Sequence, residues 1–127
     1  MSKSKKEKFS PKKRLETHPP NREVVDKIKK AIVKYIKSKY WFWQRTKYEE
    51  WYVGITHDDD ERIKGHKSTK KLKELQDFKS WQAMSFSNAR TTEKELCNEF
   101  ELNSCQIIGG VTENTKRVYV YNITQST

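Results

Sequence analysis

Trp51-Tyr-Val-Gly-Ile-Thr56 is a run of aromatic and β-branched residues that ends abruptly in the acidic turn His57-Asp-Asp-Asp60. Such residues suit a pleated, half-buried surface, so the run predicts a strand. Alternation then sorts its two sides: Trp51, Val53 and Ile55 form an apolar face, while Tyr52, Gly54 and Thr56 present a hydroxyl, a gap and a second hydroxyl. A glycine in that gap lets another group approach the backbone closely.

Upstream, Val24, Val25, Ile28, Ala31, Ile32, Tyr35 and Ile36 recur at the spacing of one helical stripe, with Lys27, Lys30, Lys34 and Lys37 largely off it. This predicts an amphipathic helix starting at Asn21, whose lysines serve either as an ordinary solvated face or as a track along phosphates. Trp41, Phe42 and Trp43 follow it. These rings either seal the helix end against a sheet or stack on unpaired bases, and the first role is the commoner.

Downstream, Asp58 and Glu61 have capping-box-like spacing for a short helix that carries Arg62 and His66 on one side. A basic segment with Lys67, Lys70, Lys71 and Lys73 comes next, and its Leu72, Leu75 and Phe78 suggest a short packed helix. Trp81 to Phe86 reads as a second strand, after which Ser87 can cap another helix. In that helix Ala89, Leu96, Cys97 and Phe100 share a stripe, and Glu93 falls inside it. An inward carboxylate needs a metal, a cation or a strong donor if it is to stay ionised, so either a metal ion or a nearby Arg or Lys would satisfy it. Arg117-Val-Tyr-Val-Tyr-Asn-Ile123 alternates cleanly after the Gly109-Gly110 turn and predicts a further strand.

The chain has 127 residues and a net charge of +10. That length fits one domain, and the charge attracts polyanions without dictating a fold. Residues 1–20 hold a surplus of +5 and few sizeable apolar side chains, so we expect a disordered basic tail ahead of one domain over 21–127. Lys12, Lys13 and Arg14 in that tail can neutralise phosphates, or the tail merely aids solubility. Cys97 and Cys105 are too few for a secreted disulfide scaffold, and no apolar run is long enough to span a bilayer. The expectation is an intracellular protein without a membrane partner, cytoplasmic or associated with DNA. The three histidines and two cysteines lack the paired close spacings of a structural zinc site, and there is no glycine-rich phosphate loop.

Tyr52-Val53-Gly54, then Arg62 and His66, then Ala89 with Glu93 four residues on, resembles the second half of the GIY-YIG endonuclease signature over roughly residues 51–100. The resemblance implies a small α/β (α+β) fold: a three-stranded antiparallel sheet flanked by helices, here with an extra N-terminal helix. It also implies an endonuclease that hydrolyses phosphodiester bonds, with DNA expected ahead of RNA. Glu93 would be the ligand of Mg²⁺ or Mn²⁺, Arg62 the stabiliser of transition-state charge and Tyr52 a hydroxyl near the attacking water, with His66 supporting Tyr52 or the phosphate. Lys67, Lys70 and Lys71 would bind nucleic acid beside them. The alternative is a module of the same fold that binds nucleic acid without cleaving it, and a protein partner or a homodimer would supply specificity in either case.

The family's first Gly-Ile-Tyr strand has no counterpart, since Tyr40-Trp-Phe42 stands in its place. The C-terminal strand is a candidate replacement. Laid antiparallel to Trp51–Thr56, it would restore three strands and offer Tyr119 or Tyr121 as the second catalytic tyrosine. Otherwise both are ordinary strand residues.

Overall fold

A computed structural model describes residues 19–60, 71–103 and 113–124. The first helix, α1, runs from Arg22 to Lys37. Asn21 caps it by accepting from the amides of Glu23 and Val24, which satisfies donors that a helix start leaves unpaired. Val25, Ile28, Ile32 and Ile36 are its buried stripe, as the spacing predicts. After a short 3₁₀ turn at Tyr48–Glu50 comes β1, Trp51–Thr56, with the bounds read from sequence. No strand lies between residues 19 and 50, so the first family strand is missing among the described residues.

The second strand is displaced from its expected position. β2 is Lys79–Gln82 rather than Trp81–Phe86. Met84 adopts a left-handed φ of 75°, which turns the chain out of the strand, and the residues after it are already helical. Helix α2 spans Phe86–Phe100, and Ser85, not Ser87, caps it by accepting from the amide of Asn88 at 3.0 Å. Buried Asn88 then ties three pieces together. Its Oδ1 accepts from the Asn21 amide at 2.7 Å, and its Nδ2 donates to the Ala83 carbonyl at 2.8 Å. Both ends of a buried amide are thereby satisfied, and the start of α1 is fixed to the end of β2.

β3, Arg117–Asn122, is the centre of a three-stranded antiparallel sheet of order β1-β3-β2. It pairs with β1 from Trp51 opposite Asn122 to Thr56 opposite Arg117, and with β2 from Lys79 opposite Val120 to Gln82 opposite Arg117. The described residues therefore form a small α+β fold of two α-helices and this sheet. The far edge of β1 is partly covered by Asn103, whose amide donates to the Trp51 carbonyl and whose carbonyl accepts from the Val53 amide.

One side of the sheet packs on the helices. Trp51, Val53, Val118 and Val120 form one cluster with Ile28, Ile32 and Ile36 of α1 and with Ala89 and Leu96 of α2. Polar ties fasten the helices to each other: Arg22 donates to both Glu95 oxygens, and Lys29 bridges Glu95 and Glu99 at 2.9 and 2.8 Å. The Arg22 guanidinium, with help from Lys29, pulls the Glu95 carboxyl down to about 2.

The aromatic run after α1 does not seal the helix end. Trp41, Phe42 and Trp43 are 66%, 93% and 68% exposed. Tyr40 does the sealing instead: it packs on the core, accepts from Trp51 Nε1 at 3.1 Å and donates to Glu50 at 3.0 Å. Burial pushes its phenol above the usual range.

Candidate functional site

The other side of the sheet is built from tyrosines. Alternation along β1 and β3 puts Tyr52, Gly54 and Thr56 on the same face as Tyr121, Tyr119 and Arg117, because each pair stands directly opposite. Tyr52 stacks on Tyr121 with ring centroids 5.1 Å apart and on Tyr119 at 6.2 Å; Tyr119 and Tyr121 are 6.4 Å apart and nearly parallel. The gap at Gly54 is filled by the Tyr119 ring. A Cβ on Gly54 would lie 2.5 Å from the Tyr119 hydroxyl, so only glycine allows this stack as it stands.

The tyrosine face is partly roofed by residues 72–78. Leu72 and Leu75 are buried against Tyr119, with Phe78 at a centroid distance of 5.8 Å from it. A 3₁₀ turn, Leu72–Glu74, shapes this roof, and the Glu74 carboxylate accepts from the backbone amide of Lys71. Lys71 therefore sits at the entry to the roof. The Gln76 carbonyl accepts from the Asn122 amide at 2.9 Å and pins the other end to β3.

At the rim of the same face, Arg117 reaches Asp59 at 3.3 Å and donates to Ser80 Oγ at 2.8 Å, while Ser80 donates to the other Asp59 oxygen at 2.9 Å. This triangle holds the acidic turn after β1 against β2 and β3. Lys73 pairs with neighbouring Asp60 at 2.8 Å, and that hydrogen bond keeps the Asp60 carboxyl below its ordinary value. Arg117 is a cation on the tyrosine face that the sequence reading passed over. Its signal was available in the two-residue alternation of Arg117, Tyr119 and Tyr121.

Glu93 is buried, 2% exposed, as its position in the stripe predicts. It pairs with Arg90 Nη1 at 3.1 Å, one turn back on α2. Arg90 is thus one of the cations that the sequence allows beside this carboxylate. Ala89 and Leu96, on either side of Glu93 along the stripe, belong to the core over the apolar face. The carboxylate thus sits on the helix that covers the face opposite the tyrosines.

Of the expected site residues, then, Tyr52, Tyr119 and Tyr121 are brought together, with Lys71 at the roof above them and Glu93 on the helix behind. Arg62, His66, Lys67 and Lys70 lie outside the described residues, as do Lys12, Lys13 and Arg14 and the expected tail. Among the described residues no group of three or more His, Cys, Asp and Glu side chains gathers as a metal site, and no helix is long and apolar enough to cross a membrane. One carboxylate is still a compatible donor set for Mg²⁺, which keeps several waters and takes substrate phosphate oxygens beside one or two carboxylates. No family model matches the chain, and no match to it was found among curated proteins or solved structures.

Proposed function

We propose that this chain is a divalent-metal-dependent phosphodiester hydrolase of the GIY-YIG type, acting on nucleic acid and on DNA in the first instance. The observation that carries the reading is the docking of β3 beside β1, which stacks Tyr119 and Tyr121 on Tyr52. In this reading the C-terminal strand would supply the second tyrosine that the resemblance implies, in place of the missing first strand. The clustered phenols orient the attacking water by hydrogen bonding, and Arg117, paired with Asp59, lies at the rim. Arg62 would stabilise the transition-state charge, His66 would support Tyr52 or the phosphate, and Lys67, Lys70 and Lys71 would bind the flanking backbone.

In this reading Glu93 would hold the Mg²⁺ or Mn²⁺. When bound, the ion polarises the phosphate and stabilises the leaving oxygen. The decisive experiment is Glu93→Gln, which keeps the side-chain shape and removes one charge. Metal-dependent nicking should vanish while nucleic-acid binding persists or tightens, because the lost interaction matters most in the transition state.

A second reading has one observation in its favour. Glu93 pairs with Arg90 and lies on the helix that covers the face opposite the tyrosines, which suits a binding module that has kept the fold and lost the reaction. If the pure protein cleaves neither DNA nor RNA with Mg²⁺ or Mn²⁺, or if Glu93→Gln cleaves as well as the parent chain, this second reading replaces the first.

A further inference from the structure

Trp41, Phe42 and Trp43 form the largest exposed aromatic feature among the described residues, and their rings pack on one another. The Trp41 and Trp43 rings are parallel within 4° at 5.2 Å between centroids, and Phe42 meets Trp43 edge-on at 5.1 Å. The turn beneath them is closed twice. The Gln44 amide donates to the Trp41 carbonyl at 2.8 Å, and the Gln44 side-chain oxygen accepts from the Trp41 amide at 2.8 Å. Such a turn presents its rings with little conformational entropy left to lose on binding.

The chain segment that carries the turn has charges of one sign. From residue 34 to residue 47 the chain carries Lys34, Lys37, Lys39, Arg45 and Lys47 and no acidic residue. Arg45 and Lys39 are held in place by Glu49 and Asp77, at 2.9 and 3.7 Å, whereas Lys37 and Lys47 are exposed. Flat aromatic faces between cations match a polymer that alternates flat apolar rings with anionic linkers. Stacking of this kind tolerates any base but requires that the base be unpaired. The base of the turn is tied to the packed face of β1, since Tyr40 accepts from Trp51 Nε1.

We propose that the Trp41-Phe42-Trp43 turn is a stacking platform for unpaired bases, so that the nucleic acid engaged by this chain carries a single-stranded segment. The inference rests on the nucleic-acid part of the function proposed above and names its substrate class. It does not depend on cleavage.

The test is direct binding in EDTA, where no metal-dependent reaction competes. A labelled oligo-dT strand and a blunt duplex of the same length are titrated at one salt concentration with the parent chain, W41A/W43A and W41F/W43F. Stacking on these rings predicts that W41A/W43A loses about tenfold or more in affinity for oligo-dT and less than about threefold for the duplex. W41F/W43F should recover part of the loss, and oligo-dT should quench the tryptophan fluorescence of the parent chain but not of W41A/W43A. Because these side chains are exposed, far-UV circular dichroism should show all three proteins folded.

An oligo-dT affinity unchanged in W41A/W43A overturns the platform, as does an equal loss for strand and duplex. Phosphatidylserine vesicles form a further arm: vesicle binding that requires Trp41 and Trp43, with no oligo-dT binding, overturns it in favour of a lipid surface. So does a dimer in sedimentation that W41A/W43A dissolves. Cleavage is scored separately with Mg²⁺ or Mn²⁺. A chain that stacks on oligo-dT through these rings and cleaves nothing sinks the hydrolase and leaves the platform standing.

Discussion

The two faces of the sheet use the same strands for opposite ends. On the helix side Trp51, Val53, Val118 and Val120 are fully buried and interlock with both helices. On the other side the same strands lay Tyr52, Tyr119 and Tyr121 against one another, partly roofed among the described residues by a short segment around Leu72, Leu75 and Phe78. One face stabilises by shape and area; the other concentrates hydroxyls, one cation and a glycine gap in a small space. Two-residue periodicity lets one strand carry both assignments without compromise, since neighbouring side chains never compete for a face.

That division is open to graded attack. Trp51→Ala strikes the packed face at its largest fully buried side chain and also removes the donor to Tyr40, so it should cost about 3–5 kcal/mol in urea denaturation. A loss under about 1 kcal/mol would mean that the apolar face is not the source of stability. Gly54→Ala strikes the tyrosine face, where the new methyl meets the ring of Tyr119. The ring is buried and cannot simply swing away, so a loss of about 1–3 kcal/mol is expected. Combining it with Tyr119→Ala should give a loss smaller than the sum of the two, a coupling above about 0.5 kcal/mol.

Glu95→Gln probes the helix layer behind the packed face. Hydrogen bonding to Arg22 pulls the folded-state carboxyl from 4.5 to about 2, so the stabilisation is complete above 4.5 and fades as pH falls towards 2. The variant should melt a few degrees lower near neutral pH, about 2–4 °C, and the gap should close across that acid window. A gap that widened on acidification would contradict the ion-pair assignment. Phe42→Ala is the smallest change: a side chain 93% exposed should alter stability by no more than about 0.5 kcal/mol.

What sequence could reveal follows from how local each signal is. The buried stripe of α1, the bounds of β1 and the pairing of β3 with β1 were all legible, because each rests on a periodicity that the fold preserves. β2 was misplaced because Trp81 to Phe86 has a strand-like composition, while its end is set by a left-handed Met84, a residue with no preference for that conformation. Ser85 and Ser87 are equally good caps by type, and only that backbone turn chooses between them. Trp41 to Trp43 carry the composition of core residues, so sequence favoured burial; the two hydrogen bonds of the Gln44 turn that display them instead are invisible in composition. In the candidate site, the tyrosine trio followed from register, whereas the Arg90 partner of Glu93 is one of several cations that sequence alone could have nominated.

The central position of β3 also governs the order of assembly. Among the described residues β1 and β2 each pair with β3 and not with each other, and β3 begins at Arg117, well after both. During synthesis the apolar side of β1 therefore has α1 and α2 to collapse upon, but no neighbouring strand of the sheet to join it until residues 117–122 have left the ribosome. Closing that long loop is the step that loop entropy slows most. Until it closes, the main-chain donors and acceptors that β1 later shares with β3 remain open to any other extended segment, so an early stop before Arg117 should yield an aggregating species rather than a smaller folded one.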